Sequence, residues 1–177
     1  MGGMSKLSDI KAFAFDIDGV FTDGGLLCYE EGRLIRRFDA KDGFAVRLAT
    51  LMGYPIAIIT GASSEIIPRR FRDLGVPECD VFLHARKKSV PFLEFCNRHS
   101  LEPSKVLFMG DDIPDLDAIA VAGYSIAPAD AAAEVIAASD EVSSRPGGHG
   151  CVREAIEKVL KEAGKWTFSP DEYARVY

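Results

Sequence analysis

The sequence predicts an α/β fold: a parallel sheet with helices on both faces and a small β-hairpin inserted after the first strand. Three observations carry this. Residues 10–15, apart from Lys11, and Ile56-Ala57-Ile58-Ile59 are short apolar runs, as strands buried on both faces must be. Such runs alternate with stretches of helical spacing, the pattern of βαβ units. Polar residues, mostly carboxylates, follow the runs directly, at the strand ends where open α/β sheets bind ligands.

The first strand ends in Asp16-Ile17-Asp18-Gly19, and residues 25–29 and 33–38 flank Glu30-Glu31-Gly32 as a hairpin spanning about 25–38. From Asp42-Gly43 the apolar positions Phe44, Val46, Leu48, Leu51 and Met52 have helical spacing, stopped by Gly53 and Pro55. The second strand ends in Thr60-Gly61, and Ser63 or Ser64 caps a helix through Ile66, Ile67 and Phe71. Val81-Phe82-Leu83 is a third strand, and residues 88–99 form a helix with Val90, Phe92, Leu93 and Phe95 as its apolar side. The fourth strand, residues 105–109, ends in Gly110-Asp111-Asp112-Ile113-Pro114-Asp115. A helix over 114–121, a strand at 124–127, an alanine-rich helix, a short strand at Glu141-Val142 and a last amphipathic helix through Val152, Ile156, Val159 and Leu160 complete the pattern. Residues 1–163 are therefore expected to form one domain. Residues 164–177 form a tail whose Trp166, Phe168, Tyr173 and Tyr177 are expected to dock on this subunit or a neighbour.

With 177 residues, 47% of them hydrophobic, the chain can bury a substantial core. A net charge of −6 argues against a nucleic-acid binder. The charge is uneven, however: positions 33 to 98 carry twelve Lys/Arg against seven Asp/Glu, a basic surface or an anion-collecting rim. No apolar segment approaches the ~20 residues that span a bilayer, and Met1-Gly2-Gly3-Met4-Ser5-Lys6 lacks a signal peptide's apolar stretch. Neither membrane attachment nor secretion is expected, which points to the cytoplasm. Cys28, Cys79, Cys96 and Cys151 lack paired spacing and fit reduced thiols.

Asp16 and Asp18 point to one side of a strand end, or serve as turn residues. Like charges about 4 Å apart repel by roughly 4 kcal/mol at an effective dielectric of 20, so such a pair calls for a cation or a proton. In chain order the strand ends supply Asp16/Asp18, Thr60, the Lys87-Lys88 pair, and Asp111/Asp112/Asp115. That is what phosphoryl transfer through an aspartate needs: a carboxylate nucleophile, a carboxyl acid/base, a hydroxyl and a lysine for the phosphate oxygens, and magnesium to offset the charge.

Asp16-Ile-Asp18-Gly19-Val-Phe-Thr22-Asp23, Thr60-Gly61, Lys88 and Gly110-Asp111-Asp112-Ile-Pro-Asp115 resemble, in order and spacing, the four motifs of the haloacid dehalogenase (HAD) superfamily of phosphatases. The resemblance implies a Rossmann-like HAD fold, with Asp16 as nucleophile, Asp18 as acid/base, and Thr60 and Lys88 as phosphate ligands. It implies Mg2+ on Asp16, Asp111 and the main-chain carbonyl of Asp18, with Asp112 and Asp115 supporting them. Lys87 is the rival to Lys88, which the family's spacing to Gly110 favours. The hairpin, Phe38-Asp39-Ala40-Lys41-Asp42-Gly43, Ala127-Pro128-Ala129-Asp130-Ala131 and Pro146-Gly147-Gly148-His149-Gly150 are similar to the capless branch that includes phosphatases of 3-deoxy-manno-octulosonate 8-phosphate and of nonulosonate (sialic-type) phosphates. That implies a small phosphorylated sugar-acid substrate, a homotetramer, and substrate contacts at Gly61, Asp39, Lys41, Asp42, Arg47 and Arg70. At position 62 the chain departs from the branch, with alanine where relatives carry arginine or glutamate. Two other classes fit less well. A signalling receiver keeps its acceptor aspartate on a middle strand, and an idle assembly module is free to lose carboxylates that this chain retains.

Overall fold

The computed structural model describes residues 7–167 together with Ser169, Asp171, Ala174 and Val176; the expectations for Phe168, Tyr173 and Tyr177 lie outside them. Among the described residues the strands are β1 (Ala12–Phe15), β2 (Leu27–Cys28), β3 (Leu34–Ile35), β4 (Ile56–Ile59), β5 (Val81–Phe82), β6 (Val106–Met109), β7 (Tyr124–Ala127) and β8 (Glu141–Val142). The helices are α1 (Ala40–Leu51), α2 (Ile66–Asp73), α3 (Ser89–Arg98), α4 (Leu116–Ile119), α5 (Ala133–Ala138) and α6 (Cys151–Glu162).

Six strands pair in parallel in the order β5-β4-β1-β6-β7-β8, and β2 and β3 form the expected antiparallel hairpin. β1 explains the layering. Phe13 and Phe15 join the core layer beneath α1, α2 and α6, while Ala12 and Ala14 face the layer of α3, α4 and α5. Small residues on that side leave room for Phe92, Phe95 and Phe108, with Phe92 and Phe108 edge to face at 6.1 Å. Because β1 has β4 on one side and β6 on the other, the chain order reverses there, and the carboxyl ends of these three strands open a crevice.

Two aspartates tie α1 into this frame. Asp39 caps the helix, its carboxylate accepting from the Lys41 and Asp42 amides at 2.7 and 3.3 Å. The buried Asp42 reaches across to α6, where Oδ1 accepts the Arg153 amide at 2.7 Å and so caps a helix whose own N-cap residue, Gly150, has no side chain to do it. The Arg153 guanidinium in turn lies 4.8 Å over the Trp166 ring, and Val176 is buried in the same core, so these two tail residues pack on their own subunit.

Several expectations need correction. Helix α1 begins at Ala40 rather than near Asp42, because Asp39 supplies the cap. Neither Ser63 nor Ser64 caps α2 through its side chain; Glu65 precedes the helix with no capping bond, and the Ser64 carbonyl accepts from Ile67. On α3, Phe92, Phe95 and Cys96 are buried, whereas Val90 and Leu93 are 58% and 40% exposed, because the helix turns its 92/95/96 edge to the sheet. The helix expected over 114–121 opens as a 3-10 turn (Ile113–Asp115) capped by Asp112, and only Leu116–Ile119 is α-helical. Among the described residues no helix is long and apolar enough to cross a membrane.

Burial pushes the Asp42 carboxyl up to about 6, against backbone hydrogen bonds from α6 that favour its charge. The unfolded chain releases this proton near 3.8, so ionised Asp42 destabilises the fold increasingly from pH 4 to 6 and fully above, by ~3 kcal/mol. Asp42→Asn, which carries no charge, is therefore expected to gain up to ~3 kcal/mol relative to the native chain as pH rises from 4 to 7. Urea unfolding at the two pH values measures this; a pH-independent difference contradicts it.

Candidate active site

The register of the sheet builds the site. Phe15 lies opposite Met109, and the Asp16 amide donates to the Met109 carbonyl at 3.0 Å, so the residues that leave β1 and β6 emerge side by side. Oxygens of Asp16, Asp111 and Asp115 lie within 4.8 Å of one another. Two glycines make the approach possible. A Cβ on Gly19 would meet Asp111 Oδ2 at 1.8 Å, and one on Gly110 would meet Asp115 Cβ at 2.4 Å. The carboxylate of Asp111 therefore rests against the backbone of the loop that follows Asp18.

Lys88, at the start of α3, completes the cluster, with Nζ 2.9 Å from Asp16 Oδ2 and 2.5 Å from Asp115 Oδ1. Lys87 is exposed, whereas Lys88 is buried within this cluster. Asp115 has no oxygen to spare: its Oδ2 accepts the Asp111 and Asp112 amides at 3.0 and 3.2 Å. Asp16 Oδ1 and Asp111 Oδ1 are different. Both are buried without a hydrogen-bond partner. Buried Thr60 sits at the end of β4, its Oγ1 accepting from the Ala62 amide at 3.1 Å.

Burial, reinforced by Asp115 and opposed by Lys88, raises the Asp16 carboxyl to about 7. Burial, with Asp16 and Asp115 adding to it, raises Asp111 to about 7. For Lys88 burial pulls downward, but Asp16 and Asp115 outweigh it and hold the ammonium charged. Three carboxylates against one ammonium leave an excess of two negative charges, and within this cluster Asp16 Oδ1 and Asp111 Oδ1 have no hydrogen-bond partner. A hard divalent cation with oxygen ligands fits this donor set, with Asp16 and Asp111 supplying the free carboxylate oxygens.

These residues line an open cavity of about 500 Å3, together with Asp18, Gly61, Ala62, Asp112 and, unforeseen from the sequence, Ala85 and Arg86. The acid/base candidate Asp18 lies on this cavity with both oxygens held by Arg36, another residue that sequence reasoning missed. The remaining expected substrate residues lie outside the lining. Asp39 and Asp42 are engaged as helix caps, Lys41 borders a separate basic depression with Arg145 and Arg153, and Arg70 lies beneath the hairpin with Phe38 and Ile67. Arg47 sits over Gly75 at the far end of α1.

Comparison with known proteins agrees with this geometry. Residues 33–123 match the family model of haloacid dehalogenase-like hydrolases. The chain is 34% identical over 160 residues to 3-deoxy-D-manno-octulosonate 8-phosphate phosphatase KdsC of Haemophilus influenzae, covering 90% of this chain and 88% of that one. The chain belongs to the haloacid dehalogenase-like hydrolases. Within that family it groups with the phosphatases. It is 30% identical over 162 residues to KdsC of Escherichia coli BL21-DE3, covering 92% of this chain and 85% of that one. Among solved structures, that of the 3-deoxy-D-manno-octulosonate 8-phosphate phosphatase of Moraxella catarrhalis, in complex with magnesium, phosphate and KDO, superposes with a TM-score of 0.86 at 31% identity, covering 96% of this chain and 94% of that one. The cobalt-bound enzyme of H. influenzae gives 0.87 at 32% identity, over 94% of this chain and 96% of that one.

Ionised Asp16 and Asp111 are disfavoured in the ion-free fold up to about pH 7, while the unfolded chain ionises them near 3.8. The site therefore weakens the ion-free fold increasingly from pH 4 to 7. Magnesium at a fixed concentration 100 times its Kd at pH 8 is expected to raise the thermal midpoint at pH 8 by roughly 5–10 °C, and at the same concentration by much less at pH 5, where protons occupy both carboxylates and weaken binding. Thermal unfolding with magnesium or chelator measures this; equal shifts at both pH values contradict it.

Proposed function

We propose that this phosphatase is magnesium-dependent and hydrolyses the phosphate ester of a 2-keto-3-deoxy sugar acid, of the 3-deoxy-D-manno-octulosonate 8-phosphate kind, through an aspartyl phosphate on Asp16. The observation that carries the reading is the pair of orphaned oxygens on Asp16 and Asp111 beside an ammonium fixed by Asp16 and Asp115. Magnesium, held by Asp16, Asp111 and the main-chain carbonyl of Asp18, supplies the charge that lets a phosphate dianion approach a carboxylate.

In this mechanism Asp16 attacks phosphorus, forming a carboxylate–phosphorus bond as the ester bond to the sugar oxygen breaks. Asp18 gives its proton to that leaving oxygen. It then takes a proton from the water that attacks phosphorus, which frees Asp16 and releases inorganic phosphate. Thr60 and Lys88 bind the equatorial oxygens, with Lys88 pre-oriented by Asp115, so little reorganisation is needed as charge develops.

The substrate class rests on similarity to KdsC across nearly the whole chain. Ala62 on the cavity wall offers no charge, whereas Arg86 on the same wall does, and a nonulosonate 9-phosphate is the second substrate to test. A homotetramer belongs to the same reading: the hairpin exposes Leu27 and Ile35, 65% and 47% accessible, as an unsatisfied apolar strip. Lys41, Arg47 and Arg70 would then act at the site formed with a neighbouring copy. The four cysteines are all free, in keeping with the reducing cytoplasm.

Phosphate release should be assayed on octulosonate 8-phosphate, a nonulosonate 9-phosphate and glucose 6-phosphate, with magnesium and with chelator. The first ester is expected to show the highest kcat/KM, chelator to abolish turnover, and Asp16→Asn to lower it by roughly 10^4-fold or more without unfolding. Near-native turnover in Asp16→Asn contradicts the mechanism, and a preference for glucose 6-phosphate contradicts the substrate class.

A further inference from the structure

Asp18 is not free in this structure. Arg36, the residue after β3 of the hairpin, donates Nε to Asp18 Oδ1 at 2.6 Å and Nη2 to Oδ2 at 2.9 Å, a side-on pairing that fixes the carboxylate plane. The Arg36 side chain is only 6% exposed and that of Asp18 33%, so the pair is shielded from solvent chiefly on the arginine side. The next residue, Arg37, also pairs with the loop that follows β1, reaching Asp23 Oδ2 at 3.2 Å, but its side chain is 74% exposed. Exposed pairs of that kind contribute little, which singles out Arg36 as the link between hairpin and catalytic loop. The sequence separation is 18 residues, so the contact exists only because the hairpin folds back over the crevice.

We propose that Arg36 is a positioning residue for the general acid/base: by gripping both oxygens of Asp18 from the hairpin, it aims the carboxyl at the leaving-group oxygen. The inference rests on the phosphatase reading, with Asp18 as proton donor. A guanidinium occupying one lone pair on each oxygen leaves the other lone pair of each to hold and deliver the proton. Without that grip the Asp18 side chain is free to rotate, and the fraction of encounters in which the proton lies on the path to the leaving oxygen falls. Arg36 makes no hydrogen bond to Asp16 or Lys88, and its charge is felt at Asp16 only through space, so any effect of its removal on phosphate binding or nucleophilic attack is shared by all phosphate esters.

This separation gives the test. A sugar or other alkyl phosphate expels a strongly basic alkoxide that needs the proton, whereas p-nitrophenyl phosphate expels a phenolate that leaves without one. The ratio of kcat/KM values for the two esters, which reports the step up to loss of the leaving group, therefore reads the general acid alone. Arg36→Ala in the full chain is expected to lose about 30-fold or more in kcat/KM on an alkyl phosphate and less than about 3-fold on p-nitrophenyl phosphate, within the 10²- to 10⁴-fold range of general acid catalysis. Added guanidinium ion is expected to restore part of the alkyl activity. Arg36→Lys, which keeps the charge but not the fork, should fall between the two and serves if Arg36→Ala does not fold. Arg37→Ala should leave both esters within about twofold of the native chain. Equal losses on the two esters in the Arg36 variants, or no loss on either, overturn the inference while leaving the phosphatase reading intact. Absence of native turnover on both esters would instead overturn that reading, and the inference with it.

Discussion

Everything in this molecule that bears on chemistry depends on holding three carboxylates and one ammonium together out of water. Left to themselves, Asp16, Asp111 and Asp115 would separate, since burial strengthens their repulsion. What prevents it is the register between β1 and β6, which fixes where Asp16 and Asp111 leave the sheet, and the 3-10 turn that folds Asp115 back beneath Asp111. Lys88 neutralises part of the charge from α3. The remainder is a standing demand for a divalent cation, and the fold meets it with two oxygens that nothing else satisfies.

Aspartate does two kinds of work here, and place tells them apart as much as partners do: Asp42 Oδ2 and Asp117 Oδ1 are buried and unpartnered like Asp16 Oδ1 and Asp111 Oδ1, but of these four aspartates only Asp16 and Asp111 line the crevice. Asp39 and Asp42 have backbone amides as partners and act as helix caps, one for its own helix and one across the domain. Asp115 is saturated by an ammonium and two amides and acts as a scaffold. Asp16 and Asp111 each keep an oxygen that is buried and bare. The capless architecture adds a further constraint: with an open cavity, orientation must come from the walls, and the hairpin contributes through Arg36.

Much of this was legible in the sequence because the relevant signals are local. Strands β1, β4 and β6 are four-residue runs buried throughout, and a run without polar residues can be little else in a chain of this kind. The motif carboxylates were legible because they sit immediately after those runs. Long-range partnerships left no such trace. Nothing in the spacing of Arg36 announces Asp18, and nothing in Asp42 announces Arg153, since both contacts arise only when separate segments close on each other. Val90 and Leu93 were misassigned for a related reason: helical spacing fits more than one edge of α3, and the sheet selects the edge carrying Phe92, Phe95 and Cys96.

The most direct test of the central claim is a crystal structure grown with magnesium and trifluoroberyllate, which mimics a phosphoryl group bonded to a carboxylate. The account predicts beryllium bonded to a carboxylate oxygen of Asp16, one magnesium ion touching Asp16 and Asp111, and Lys88 against the fluorides. An adduct on any other side chain, or an ion bound away from the Asp16–Asp111 pair, would contradict it.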